Sequence, residues 1–399
     1  MLPKGVWSVL LDNRTYLPVE KKFDKNGNIV SAANDFNAVL DSSVFSDLGS
    51  LESAFNLPKG SANIGASEVS FKYNFNFLDT YVLYGATDRL TLGVKIPYVW
   101  ASNTVNANLN TTNATIGKNP LFGTPLDPTG GQAPLVPIGA FGPNVPIPTL
   151  TNGDVQHLLG AGLDVNGDGT IDIPGFGYKP VQNWSNNGIG DIEIGGRYQY
   201  YKSDNWRLAT LLGIRFPTGE TDDPDNLVDF QFGAGAAALL FQLNNDYVGI
   251  KNLVLDATLR YDLYLPHKQI VRVPDNVDVS ITSNKETVDK KIGDLIAVEL
   301  SATYMFLKGA TAGIQYKYGH GFKDKVSGSK GFNYSSLEEQ SDFTDQVIEA
   351  SLGYSTIPLY VEKKFAVPMN VSVTYRNRFK GNNDLLKSEY IGLGLQFYF

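Results

Sequence analysis

Along much of the chain apolar and polar residues alternate one for one, the period of an extended strand whose successive side chains point to opposite faces. The last ten residues show it most plainly. Ile391, Leu393, Leu395, Phe397 and Phe399 fall on one side, and Tyr390, Gly392, Gly394, Gln396 and Tyr398 on the other. The same period predicts a first strand from Val6 to Leu17, with Trp7, Val9 and Leu11 on its apolar face and Ser8, Asp12 and Arg14 opposite. A long second strand opens with Val69, Phe71, Tyr73, Phe75 and Phe77 against Ser70, Lys72, Asn74 and Asn76. Its pattern slips at Leu78 and Asp79 and resumes through Tyr81 to Ala86, which reads as one strand carrying a bulge. Leu90, Leu92, Val94, Ile96, Tyr98 and Trp100 mark a third strand, with Lys95 on the polar face.

Eight further strands follow before the last. The fourth runs from Asp191 to Tyr201 and turns Asp191, Glu193 and Arg197 to its polar side; the fifth, from Trp206, does the same with Arg207 and Arg215. A sixth is expected from Asp229 to Leu240, with Phe230, Phe232, Ala234, Ala236, Ala238 and Leu240 on its apolar face and a turn at Asn244, Asn245 and Asp246. Beyond it, Asp256, Arg260 and Asp262 lie on the polar face of the seventh strand, Glu299 of the eighth, Lys317 of the ninth, Glu349 of the tenth, and Arg376 and Arg378 of the eleventh. Short and long connections alternate throughout, the long ones including 19–64, 103–186 and 266–291. Compact soluble domains rarely carry irregular loops as long as the second of these. Twelve strands, an even number, with long loops at one end and short turns at the other, give one closed antiparallel transmembrane β-barrel over residues 1–399.

In such a barrel the apolar face meets lipid and the polar face lines the interior. The lumen-lining set is then Arg14, Lys72, Lys95, Asp191, Glu193, Arg197, Arg207, Arg215, Asp256, Arg260, Asp262, Glu299, Lys317, Glu349, Arg376 and Arg378, with Asp12 beside them. Cations outnumber acids in this set although the whole chain carries a formal charge of −8, so the negative surplus belongs to the loops. Each unpaired ion in a dry core costs several kcal/mol, which argues against a soluble sandwich with two apolar inner faces. A slightly basic wall biases passage toward small anions, as basic rings do in anion pores. The alternative is that the charges pair to fill and rigidify a narrow barrel.

Composition adds limits. No apolar run approaches the roughly 18 residues of a membrane-spanning helix, and the 21 Tyr, 22 Phe and 4 Trp suit two interfacial girdles. With no cysteine, disulfides, thiolate metal sites, iron–sulfur clusters and covalent haem are excluded. The acidic balance speaks against nucleic acid. Met1 to Gly5 has neither a charged n-region nor an apolar h-region, and reads as a start after signal removal.

Two constellations stand apart from the strands. Asp164, Asn166 and Asp168 place oxygens at alternate positions, Gly169 allows a sharp turn, the Thr170 carbonyl follows, and Asp172 completes a run like the first part of an EF-hand calcium loop. Gly175 stands where the bidentate Glu belongs, so the 164–175 segment is either a weak calcium site or a turn rich in side-chain-to-backbone bonds. No cofactor is otherwise required. The histidines His157, His267 and His320 have no partners that suggest catalysis, and Gly188-Ile189-Gly190 is not followed by a helix, so an enzyme is not expected.

The final strand, ending on Phe399, resembles the C-terminal strand of bacterial outer-membrane barrels, which implies recognition of Phe399 by the barrel assembly machinery. Asn187-Gly188-Ile189-Gly190-Asp191-Ile192-Glu193-Ile194-Gly195-Gly196-Arg197-Tyr198 and Leu212-Gly213-Ile214-Arg215-Phe216-Pro217-Thr218-Gly219-Glu220 are similar to segments of the phenol-degradation meta-pathway type transporters, distant relatives of FadL channels. Tyr84 to Val94 is similar to a turn of the same family. The resemblance implies the outer membrane of a Gram-negative-type bacterium, a lipid bilayer around the protein and a small-molecule solute within it. The expected function is a channel for passive passage of small solutes through a charged lumen gated by the 103–186 loop. The alternative is a plugged structural or partner-binding barrel, such as a sleeve for a redox protein.

Overall fold

In the computed structural model, which describes residues 1–275 and 281–399, twelve antiparallel strands pair in sequence order and the last closes on the first. They are β1 (Trp7–Tyr16), β2 (Asn63–Thr87), β3 (Leu90–Asn110), β4 (Trp184–Ile189 continued by Ile192–Lys202), β5 (Trp206–Phe216), β6 (Ala238–Ile250), β7 (Leu253–Tyr264), β8 (Leu295–Leu307), β9 (Ala310–Gly321), β10 (Phe343–Ser355), β11 (Met369–Gly381) and β12 (Glu389–Tyr398). β1 sits between β12, with Ser8 opposite Tyr398, and β2, with Trp7 opposite Tyr84. The barrel is therefore closed, and the expected fold class is the observed one.

Alternation sorts the two faces as expected over most of the wall. Leu212, Leu300, Ile314, Leu352, Val373 and Ile391 stand exposed on the outside. Aromatic pairs cap this belt at the short-turn end, where Trp7 meets Tyr84 and Trp206 meets Tyr247, and at the other end, where Tyr98 meets Trp100. Such girdles sit where a bilayer gives way to water.

Two elements differ from the sequence pattern. β2 pairs with β3 from Ala66 to Gly85 without a shift of register, so there is no bulge at Leu78 and Asp79. Phe71, Phe75 and Asp79 consequently share one face, the inner one, and are all buried. The sixth strand begins at Ala238, not Asp229, and runs through the expected turn at Asn244–Asp246 to Ile250. Leu240 thereby faces inward and is 5% exposed, while Leu243 faces out. The cause is local: residues 229–237 have an apolar alternation but lie inside the mouth of the barrel, where Phe232 packs on Phe75, Val99 and Ala101.

β2 and β3 rise beyond the rest of the wall, and the loops they carry fold into an extracellular cap. Its helices are α1 (Asp47–Ala54) and α2 (Asn152–Leu159). α2 starts with a capping box between Thr151 and Asp154, which satisfies two otherwise orphaned backbone donors. Phe45, Leu48, Ile64, Phe71, Ile116, Leu150, Leu158 and Val181 form the core of the cap. A small outer sheet, His267–Arg272 with Lys285–Lys291 and Lys325–Ser327, adjoins it. The expected loop 266–291 includes residues 276–280, which lie outside the described residues. Arg272 ties these parts together. Its guanidinium lies 3.9 Å from the Tyr178 ring centre, donates to the Phe176 and Thr282 carbonyls at 2.7 Å, and pairs with Asp225 at 2.8 Å.

Candidate channel lumen

Most of the expected lining residues do face the interior, and they are gathered into pairs. Asp79, 2% exposed, takes Arg14 from β1 and Lys95 from β3, the latter at 3.3 Å, while Asp12 lies 3.6 Å from Arg14. Across the wall a second chain joins Glu193 to Arg215 at 2.8 Å, Arg215 to Asp262 at 3.2 Å, and Asp262 to Arg260 at 2.6 Å. Asp262 has no exposed surface, and both its oxygens accept from guanidinium groups. Lys317 meets Glu299 at 3.5 Å, with Gln315 donating to the same carboxylate at 3.0 Å. Arg378 pairs with Asp345 at 2.8 Å and donates to the Leu386 carbonyl. Such pairing offsets the cost of withdrawing each ion from bulk water.

Arg376 takes another partner. It lies over the Tyr390 ring, 5.5 Å from its centre, and the Tyr390 hydroxyl donates to Glu349 at 3.3 Å. Arg14, Glu299, Lys317, Glu349, Arg376 and Tyr390 enclose a polar cavity of 240 Å³. The opposite side of the lumen has another character. Leu83, Gly93, Gly195, Gly213 and Leu240 lie directly opposite one another on β2, β3, β4, β5 and β6, all on the inner face. They border a cavity of 1090 Å³ that reaches the short-turn end, where Met1, Leu2, Pro3 and Val6, the short helix Ile357–Val361 and the segment after it line its mouth. Leu2 is fixed there by its N–H on Thr91 Oγ1 at 3.0 Å.

Several expected positions are corrected. Lys72 points away from the lumen, beside Asn74 and Asn76 on the outer face of β2 above the aromatic belt, and is half exposed near Glu20. Its parity was misread because the bulge that would have reversed it does not exist. Asp191 faces inward but lies at the break in β4, where its oxygens accept from Gly219 N at 3.0 Å and Ala234 N at 2.8 Å, pinning the inward segment 217–237. Arg207 keeps its inward parity at the short-turn rim, and Asp256 faces Asp246 across β6 and β7. Asp79, Asp246 and Asp345 also belong to the lining. With Lys72 removed and these three acids added, the surplus of cations expected from the sequence closes. The signal for Asp79 was the unbroken odd-numbered row from Phe71; that for Asp246 was hidden by placing it in a turn.

The calcium-like loop lies in the cap. Asp164 accepts from Gly167 N at 2.7 Å and Gly169 N at 2.8 Å, Asp168 from Thr170 N at 2.8 Å, and Asp172 from Val165 N at 2.7 Å. Asn166 Oδ1 accepts from Asp168 N at 3.0 Å. The loop's own backbone thus engages the side-chain oxygens. Among the described residues no group of three or more His, Asp or Glu is placed to hold a metal.

The profile of a family described as "Putative MetA-pathway of phenol degradation" matches residues 147–343. This chain is an outer-membrane-type barrel similar to that family. Among solved structures, the barrel is similar to an outer membrane channel from Pseudomonas putida F1, at 11% identity and a TM-score of 0.53, over 100% of this chain and 97% of that one. The barrel is also matched by a monoaromatic hydrocarbon channel, a TodX deletion mutant, at 10% identity and a TM-score of 0.38, over 100% and 91%. A Pseudomonas aeruginosa FadL homologue matches at 9% identity and 0.32, over 99% and 89%. No curated protein matches the chain. At these identities the likeness speaks to the fold, and the first of the three carries it.

Proposed function

We propose that this outer-membrane-type barrel is a channel for passive passage of small solutes through an ionic lumen in which most charges are paired. The observation that carries the reading is the interior itself: a closed wall, apolar outside and ionic inside, that encloses a 1090 Å³ cavity reaching the short-turn end. A structural barrel has no need of such a space. The cation surplus having closed, selectivity rests on the unequal walls rather than on net charge. The gate is better assigned to the inward segment 217–237 than to the long loop above it, because Asn103 holds the Val228 carbonyl at 3.2 Å and Phe232 fills the outer mouth. β12 and Phe399 offer the assembly machinery the strand it reads.

One observation favours the plugged alternative, namely that same inward segment. Single-channel recording in planar bilayers decides between them. Small ohmic steps in the wild type, enlarged several-fold when Asp191→Ala frees the segment, support the channel. Silence from both proteins sinks it.

A further inference from the structure

Arg197 is out of step with most arginines of the lumen; among the described residues Arg207 is also without an ion pair, but it is exposed at the short-turn rim, whereas Arg197 is half-buried in the wall. Arg14, Arg215, Arg260 and Arg378 each hold a carboxylate, and Arg376 rests on an aromatic ring. Among the described residues Arg197 makes no ion pair, and its Nε is buried without a hydrogen-bond partner. It lines the 1090 Å³ cavity, two residues along β4 from Gly195 and beside Leu211 on β5. Asp256 lies within electrostatic reach of Arg197 but outside ion-pair distance, and faces Asp246 across β6 and β7 toward the short-turn rim.

The row beside Arg197 is apolar, and the charges that border it on the far side, Lys95 and Glu193, are already engaged by Asp79 and Arg215. Gly93, Gly195 and Gly213 contribute no side chains to the row, and Leu83, Leu211 and Leu240 frame it. A Cβ at Gly93 would come within 2.6 Å of Leu83 Cδ2, so the leucine lies flat across the glycine. Planar bidentate donors suit carboxylates, and an apolar recess suits the body that carries one. We infer that this alcove is a binding site for an amphipathic organic anion, its carboxylate on Arg197 and its apolar body against the row from Leu83 to Leu240. The inference rests on the channel reading and narrows it to a solute class.

Benzoate serves as the probe, with benzyl alcohol lacking the charge and acetate lacking the body. Calorimetry on the full chain in detergent micelles gives binding, and current block in planar bilayers gives the effect on conduction. Benzoate is expected to bind at least tenfold tighter than either control. Arg197→Gln should remove that advantage over benzyl alcohol, Arg197→Lys should restore part of it, and Leu83→Ser should weaken benzoate without weakening acetate. Retention of the heat-dependent gel mobility shift shows that each variant is folded. Equal benzoate binding by wild type and Arg197→Gln, or acetate binding as tight as benzoate, overturns the site. Benzoate binding in micelles by a protein silent in bilayers leaves the site standing and removes the channel. Conductance with no benzoate binding does the reverse.

Discussion

The cap and the barrel share two strands and reverse their logic. Above the membrane the inner face of β2 is apolar, with Phe71 3% and Phe75 5% exposed, and its outer face presents Ser70, Lys72, Asn74 and Asn76 to water. Below Phe77 the same inner row continues as Asp79 among cations, and the outer row becomes Leu78, Val82 and Tyr84 facing lipid. No residue is inserted between them. The solvent outside has changed, and with it the chemistry each face must offer. In water a protein hides apolar side chains inside; in a bilayer they belong outside, and polar ones survive inside only in pairs or with water. A slip in hydrophobic alternation can therefore mark a boundary between media rather than a bulge in the backbone.

The largest expected effect comes from unpairing the barrel side of this boundary. Asp79→Ala leaves Arg14 and Lys95 without their shared carboxylate in a site where the acid is 2% exposed. Loss of one partner from a buried pair costs about 3–5 kcal/mol. Urea unfolding in lipid vesicles should show a drop of that order, whereas Asp12→Ala, at a side chain 33% exposed, should cost under about 1 kcal/mol. Equal losses would mean that Asp79 is not the centre of the cluster.

Next in size is a test of the boundary itself on one face of one strand. Val82→Arg puts a charge on the lipid side and should destabilise the barrel by about 2–4 kcal/mol if it lies near the bilayer midplane. Asn74→Arg, eight positions earlier with the same parity, faces water and should cost close to nothing. If both were equally harmful, the boundary would lie above Asn74, and the row from Phe71 to Phe77 would be inside the bilayer.

The comparison also explains what could be read in advance. Where a strand stays within the bilayer, one rule of alternation holds from end to end, and the facings of Arg215, Asp262, Lys317, Glu349 and Arg376 were legible. Where a segment leaves that medium, the rule changes sign or lapses. Lys72 and Asp79 were misread for the first reason, and residues 229–237 for the second, since a loop folded into the lumen buries Phe232 and Ala236 without being a strand. The ion pairs could not be assigned from sequence because partners such as Glu193 and Arg215 depend on register, which the pattern alone leaves free by steps of two. Arg197 appeared as one lining cation among many; what sets it apart is the missing ion pair together with its place beside the glycine and leucine row.

A smaller effect is expected in the outer sheet, which lies outside the membrane-spanning wall. Glu286 accepts from the Tyr334 hydroxyl at 2.6 Å, from Ser329 N at 2.6 Å and from Ser329 Oγ at 2.9 Å. These donors, the tyrosine first, hold its carboxyl down at about 2, against 4.5 for an ordinary glutamate. A depressed folded value means that the contribution is complete above the unfolded value and fades as pH falls from 4.5 toward about 2. Amide exchange of Lys285–Lys291, corrected for intrinsic rates, should therefore show protection constant near pH 6 and declining below about pH 4.5. Glu286→Gln should flatten that dependence, and an unchanged slope in the variant would assign it to another group.

The smallest effect concerns the loop at 164–175, the one place in the cap whose sequence suggests an ion. A calcium loop lacking its bidentate glutamate belongs to the weak class, with Kd of about 10⁻⁴–10⁻³ M. At about 1 mM calcium, full coupling to folding would stabilise the cap by roughly 0.4–1.4 kcal/mol. The carboxylates of Asp164 and Asp172 already order the turn by accepting from Gly167, Gly169 and Val165. Binding a cation would add little order to a loop that its own amides hold in shape. Protease resistance of the cap in calcium and in chelator is therefore expected to coincide. A saturable difference that disappears in Asp164→Asn would instead show that the backbone bonds preorganise a cation site, and the turn reading would give way.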